Sequence, residues 1–177
     1  MTTKLPPQLI DPTGSTSGQV LTSTGSSTAP SWGNINASSI VGTTTNDSAS
    51  AGRVGEFVSS TVANTTVSLT SGTPANVTSI SLTAGDWDVS GMVIFNTAGT
   101  TVMSAQVAGV SSTSATLVTY QFANIAGTQS AGAGGNVVTP VVRISLSATT
   151  TVYLVAQGNF TTSTCQAGGV IRARRAR

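Results

Sequence analysis

The chain has 177 residues, of which 38% are hydrophobic and only 7% charged, with one cysteine and no histidine. That length suits one ordinary domain with an appendage, and the missing histidine excludes Ser-His triads, histidine metal sites and the commonest general base. The formal charge of +2 is a C-terminal feature: Arg172, Arg174, Arg175 and Arg177 lie in the last six residues, and the remainder, with three basic and five acidic groups, is net acidic.

Serine and threonine stand where charges usually would and make up about a third of the chain, against about 25% charged residues in a typical domain. This composition favours strands, because branched side chains fit a pleated surface. No apolar run approaches the ~18 residues of a membrane span. The N-terminus, MTTKLPPQLIDPTG, lacks the apolar core of a secretory signal.

Residues 1–52 hold few, scattered apolar residues. Pro6, Pro7 and Pro12 exclude helix there. Further on, GQVLTS, TGSS and APSW read as strand, turn and strand, a hairpin whose one large anchor is Trp32. A lone hairpin is marginal in water, so this segment needs another surface to lie on. Residues 36–52, NASSIVGTTTNDSASAG, have the composition of a flexible connector.

From Arg53 the pattern changes to apolar residues alternating with Ser and Thr, the period of half-buried strands. VGEFVSSTVA and NTTVSLTSG are the first two, the second with Val67 and Leu69 on one face. NVTSISLTAG sets Ile80 and Leu82 together. DWDVSGMVIFNT puts Trp87, Val89, Val93 and Phe95 on one face and Met92 and Ile94 on the other. TTVMSAQVAGVS, TLVTYQFANI, VVTPVVRISLSA, TTVYLVAQGNF and AGGVIRARR complete the set. Eight or nine strands divided by Gly, Asn, Pro and Ser turns predict an all-β fold, a jelly-roll-like antiparallel sandwich over 53–177, preceded by an extended N-terminal arm over 1–52. GMVIF and TVYLVA are apolar on both faces, so their second face is expected to be covered by an identical subunit.

Little here supports chemistry. The acids are Asp11, Asp47, Glu56, Asp86 and Asp88. Asp86 and Asp88 flank Trp87 and point away from its face, as solvated residues at a strand start rather than a calcium or sugar site. GAGGN (132–136) has no strand-to-helix context and reads as a loop, not a phosphate cradle. Asn-x-Ser/Thr triplets such as Asn64-Thr65-Thr66 are expected by chance in a chain this rich in hydroxyls. Cys165 alone forms no intrachain disulfide and reads as a small buried residue. We therefore expect no enzyme activity, no cofactor and no metal site. In IRARRAR, alternation places Arg172 and Arg174 on one face and Ile171, Ala173 and Arg175 on the other. Without interleaved aromatics, and on an acidic body, these arginines argue against nucleic-acid binding. They suit an edge strand protected from unwanted pairing, or pairing across a subunit interface with Glu56 or Asp88.

Two stretches carry a resemblance. Gly14-x-x-x-Gly18-Gln19-Val20-Leu21, a Ser/Thr/Gly turn and Ala29-Pro30-Ser31-Trp32 together resemble a segment that recurs in tailed-bacteriophage fibre and appendage proteins. TTTNDSASAGRVGEFVSS, SISLTAGDWDVSGMVIF, RISLSATTTVYLVAQGNF and GVIRARR are similar to a C-terminal β domain of phage fibre-like proteins. The resemblance implies a virion structural protein made in the host cytoplasm, a homotrimer with a jelly-roll head. A chain this short for a tail fibre suits a small head-fibre or decoration protein, or a tip or adaptor. Leu9, Ile10, Val20, Leu21 and Trp32 would dock the arm to capsid or tail proteins. The alternatives are a receptor-binding tail-fibre or tail-tip module that recognises the host surface, and a capsid-cementing protein.

Overall fold

The computed structural model describes residues 14–23, 26–35, 45 and 47–177. They fall into two compact units, one within residues 1–47 and the other Ser48–Arg177. Pro6, Pro7, Pro12, Leu9, Ile10 and most of the expected connector lie outside the described residues.

In the first unit, β1 (Val20–Thr22) and β2 (Ser31–Gly33) form an antiparallel hairpin with Leu21 opposite Trp32. The Thr22 hydroxyl donates to the Ser31 carbonyl at 2.9 Å. Ahead of it, the Gln19 side chain accepts from the Thr16 amide at 2.9 Å, while the Gln19 amide donates to the Thr16 carbonyl at 3.2 Å. Gly14 and Gly18 stand at φ +86° and +91°, a region that side chains with a Cβ rarely adopt. The spaced glycines of the motif are thus a backbone requirement of the turn leading into β1.

The second unit contains β3 (Phe57–Ser68), β4 (Ala75–Leu82), β5 (Gly85–Thr97), β6 (Val102–Ser111), β7 (Phe122–Ala126), β8 (Gly135–Val138), β9 (Val142–Leu146), β10 (Thr150–Thr161) and β11 (Cys165–Arg175). One sheet has the order β4-β10-β6-β7. The other runs β3-β11-β5-β8, with β9 also paired to β5. β8 and β9 follow one another along the same edge of β5. Counted as one line, they make eight strand lines in two sheets of four, ordered second-seventh-fourth-fifth and first-eighth-third-sixth. This interleaving of early and late strands is a jelly roll. All the pairings are antiparallel.

Alternation sets the core. Trp87, Val89, Val93 and Phe95 of β5 face Ile80 and Leu82 of β4, Val152 and Leu154 of β10 and Met103 and Val110 of β6 in one buried cluster. Cys165 belongs to it, and burial pushes its thiol up to about 11.

Three sequence expectations change in detail. VGEFVSSTVA and NTTVSLTSG form one long strand, β3, because pairing to β11 resumes at Val67 after a bulge in which residues 63–66 of the polar run have no register partner. VVTPVVRISLSA is two strands, since Pro140 has no amide to donate and the pairing to β5 breaks between Val138 and Val142. TLVTYQFANI gives strand only from Phe122.

The segment 112–121 has a different task. Asn76 of β4 holds it, donating to the Ser114 hydroxyl and accepting from the Ala115 amide, both at 2.7 Å. Leu117 lies against Gly109 of β6. Between Asn76 and Gly109 in register stands Val155 of β10, fully buried. On the second apolar face of TVYLVA, expected to need an identical subunit, Val155 is therefore covered by this chain's own loop, while Tyr153 stays half-exposed. The outward residues of GMVIF, Met92 and Ile94, remain half-exposed.

Gly168 marks the shift between β11 and β3, where a Cβ would overlap the Ala63 carbonyl. Gly168→Ala is expected to cost roughly 1–3 kcal/mol as an overpacked site. Gly99→Ala, at a position open to solvent with nothing within 4 Å, should leave the thermal melt nearly unchanged. Equal melting of the two variants would refute this account of the bulge.

Candidate functional site

From Glu56 onward, the acidic and basic side chains gather around β11 and its neighbours in one sheet. The period of two along the strand sorts the arginines. Ile171, Ala173 and Arg175 face inward and are buried, while Arg172 and Arg174 face outward and are exposed.

Arg175 is 5% exposed, and each of its three guanidinium nitrogens donates a hydrogen bond. Its Nε donates to Glu56 Oε2 at 2.8 Å, Nη1 to the Ala84 carbonyl at 2.8 Å and Nη2 to the Thr83 hydroxyl. The guanidinium lies over the Trp87 ring, 4.3 Å from its centre, a cation–π contact strengthened by burial. The Trp87 Nε1 donates to the Thr83 carbonyl at 2.9 Å. Glu56 also accepts from the Gly52 amide at 2.8 Å. That backbone hydrogen bond, followed by the Arg175 contact, holds the Glu56 carboxyl below its ordinary 4.5 against the opposing effect of burial.

At the end of the strand, Asp86 accepts from Arg143 Nε at 2.8 Å and Nη2 at 2.9 Å, and pairs with Arg177 Nε at 2.9 Å. The Arg143 hydrogen bonds hold its carboxyl below the ordinary 3.8, and Asp86 in turn raises Arg143.

On the outer face, Phe57, Arg174, Asp88 and Arg143 form one cross-strand row, and Ser59, Arg172 and Ser90 form the next. Between them lies a groove of about 220 Å³, lined by Phe57, Asp88, Ser90, Val141, Ala173 and the two arginines. The Arg174 guanidinium sits 5.7 Å from the centre of the Phe57 ring and reaches the Gly55 carbonyl at 3.5 Å. Among the described residues, neither Arg172 nor Arg174 lies within ion-pair distance of a carboxylate.

The structure thus brings Asp88, Arg172 and Arg174 to one exposed surface and removes Glu56 from it. Glu56 is buried and already paired within its own chain, so it is not a contact for a neighbouring subunit. Asp86 is likewise corrected: it is 8% exposed and held by two arginines rather than solvated. Alternation had placed Arg175 inward, but its partners could not be read from that, because Glu56, Thr83 and Trp87 meet it only across paired strands. Arg143 and Arg177 carried no local signal. Of the arm residues, Leu9 and Ile10 lie outside the described residues. Val20 is 38% and Leu21 43% exposed, and Trp32 is half-buried.

No family model matches the chain, and no curated protein matches it. Among solved structures it is similar to a chain of the T13 viral particle of infectious bursal disease virus, with a TM-score of 0.45 and 13% identity over 68% of this chain and 31% of that one. It is also similar to the VP2 subviral particle of the same virus, with a TM-score of 0.42 and 13% identity over 68% and 33%. The chain spans about a third of the length of these viral chains. A likeness this distant carries no functional argument.

Both depressed carboxylates set a pH dependence. Their unfolded values are the ordinary 4.5 and 3.8 and their folded values lie lower, so the unfolded chain binds more protons in the window between. The stability they contribute is complete above about pH 5 and is lost as the pH falls through the depressed values. Glu56→Gln should flatten this acid limb in melts taken from neutral to acid pH. Arg175→Ala leaves Glu56 buried without its cation and should cost about 3–5 kcal/mol at neutral pH. An unchanged acid limb in Glu56→Gln would show that this pair does not govern acid stability.

Proposed function

We propose that the chain is a non-enzymatic structural protein of a virion, a small homotrimeric fibre or decoration protein held to the particle by its N-terminal arm. The observation that carries this reading is the β1–β2 hairpin. The motif that resembles phage appendage segments folds as a discrete unit in which Leu21, opposite Trp32, and Val20, opposite Gly33, remain exposed. Three strand residues on each side cannot bury these groups, and a hairpin of this size gains its stability from a surface it docks on. A neutral, hydroxyl-rich jelly roll suits a packing and display role.

Self-association draws on the free edge of the β4-β10-β6-β7 sheet. Among the described residues, β7 pairs with β6 alone. It carries exposed Phe122 and Ile125, preceded by Tyr120 at 92% exposure and φ +67°. It lacks the charge or proline that commonly protects such an edge.

Two measurements test the proposal. Trp32→Ala should weaken rebinding to particles stripped of the protein by roughly 100-fold, the equivalent of about 3 kcal/mol for a buried Trp, while the body melts as before. Rebinding at full strength would make Trp32 incidental. Light scattering on the full chain at micromolar concentration should give three times the 17.6 kDa of one chain, and Ile125→Lys should lower that mass. A monomeric wild type would overturn the trimer.

A further inference from the structure

We propose that the groove on the outer face of β3, β11 and β5 binds a sugar acid, a small hydroxylated monocarboxylate, either free or as one residue of an acidic glycan. This stands on the groove alone and does not depend on the virion reading.

Each part of such a ligand meets a matching group. Arg172 is exposed, its cross-strand neighbours are the small Ser59 and Ser90, and it has no hydrogen-bond or ion-pair partner among the described residues. A planar guanidinium with its donors free is the side chain best matched to a carboxylate, which it grips with two parallel hydrogen bonds. Arg174 adds a second positive charge and is steadied over the Phe57 ring. Phe57 and Val141 give an apolar wall for the C–H face of a sugar ring. Asp88 and Ser90 line the same groove and can accept hydrogen bonds from its hydroxyls. The volume of about 220 Å³ falls below the ~300–1,000 Å³ of drug-sized sites, so it admits one small residue.

The charge balance narrows the class further. Asp88 stands directly opposite Arg174 in register. Its carboxylate repels a second negative charge on the ligand, which disfavours phosphate and nucleic-acid backbones relative to a monoanion. Of the carboxylates a second copy of the chain would bring, Glu56 and Asp86 are already engaged within their own chain, which leaves Asp88 and Asp47 as its exposed acidic side chains among the described residues, and the mass measurement below separates that occupant from a sugar acid.

The test is a titration of the full-length chain with sodium glucuronate, followed by calorimetry or NMR shifts, with glucose and inorganic phosphate as controls. Glucuronate should saturate with a Kd on the order of 1 mM. Glucose, which lacks the carboxylate, and phosphate, which carries extra charge, should each bind about tenfold more weakly or worse. Arg172→Met keeps the apolar stem and removes the charge. It should melt like the wild type and lose about tenfold or more in glucuronate affinity. Asp88→Asn should strengthen phosphate relative to glucuronate. An oligosaccharide ending in glucuronate that binds more tightly than the free acid assigns the ligand to a glycan, and equal binding assigns it to the free acid. The proposal is overturned if glucuronate does not saturate, if phosphate binds as well, or if Arg172→Met binds glucuronate unchanged. It is also overturned if that variant lowers the mass of the particle in solution, which would give the groove to a second copy.

Discussion

The second unit is closed by its last strand. β11 lies between β3 and β5, so the first and third strand lines of the sandwich meet only through residues at the far end of the chain. Arg175 fastens that arrangement. It sits on the core side of β11, stacks on Trp87, ties Glu56 just ahead of β3, and caps the β4–β5 turn through Thr83 and Ala84. Its charge is tolerated inside because it is matched by a carboxylate and by hydrogen bonds; removing either side would strand the other. A sheet built this way depends on contacts far apart in sequence, and a topology of that kind folds slowly for its size.

The two sheets handle their outer faces differently. The β4-β10-β6-β7 sheet is roofed by its own loop. Asn76 pins the loop at one side and Leu117 lies on Gly109 at the other, so Val155 is as buried as any core residue. The other sheet carries on its outer face, among the described residues, the acids and bases that face outward from the body. In a chain with 7% charged residues, such a concentration makes one region electrostatically distinct from a neutral, hydroxyl-covered remainder. Charges that would be screened and nearly equivalent on an ordinary surface become the main polar feature of this one. That contrast gives the groove beside Arg172 its chemical character.

The N-terminal hairpin follows a separate logic. Gly14 and Gly18 permit a turn that Gln19 closes, and the turn delivers Val20 and Leu21 onto a strand opposite Trp32. The pattern is local, so a short sequence motif can encode all of it. The same locality leaves the hairpin without a core of its own, with Val20 and Leu21 exposed.

What the sequence determined by itself were the features with short-range causes. Alternation identified the all-β class and named the inward residues of β5, including Trp87, Val93 and Phe95. It separated Arg172 and Arg174 from Arg175, and the Gln-Val-Leu and Pro-Ser-Trp segments revealed the hairpin. Alternation reports which face a residue occupies and nothing about what lies against that face. For this reason the merging of two predicted strands into β3, the break at Pro140, the loop roof over Val155 and the pairing of Arg175 with Glu56 came only from the tertiary structure. Each depends on a partner strand distant in sequence: Glu56 and Arg175 are 119 residues apart. The groove is the same case, since its lining comes from β3, β5, β11 and the break before β9, and only the jelly-roll order sets them side by side.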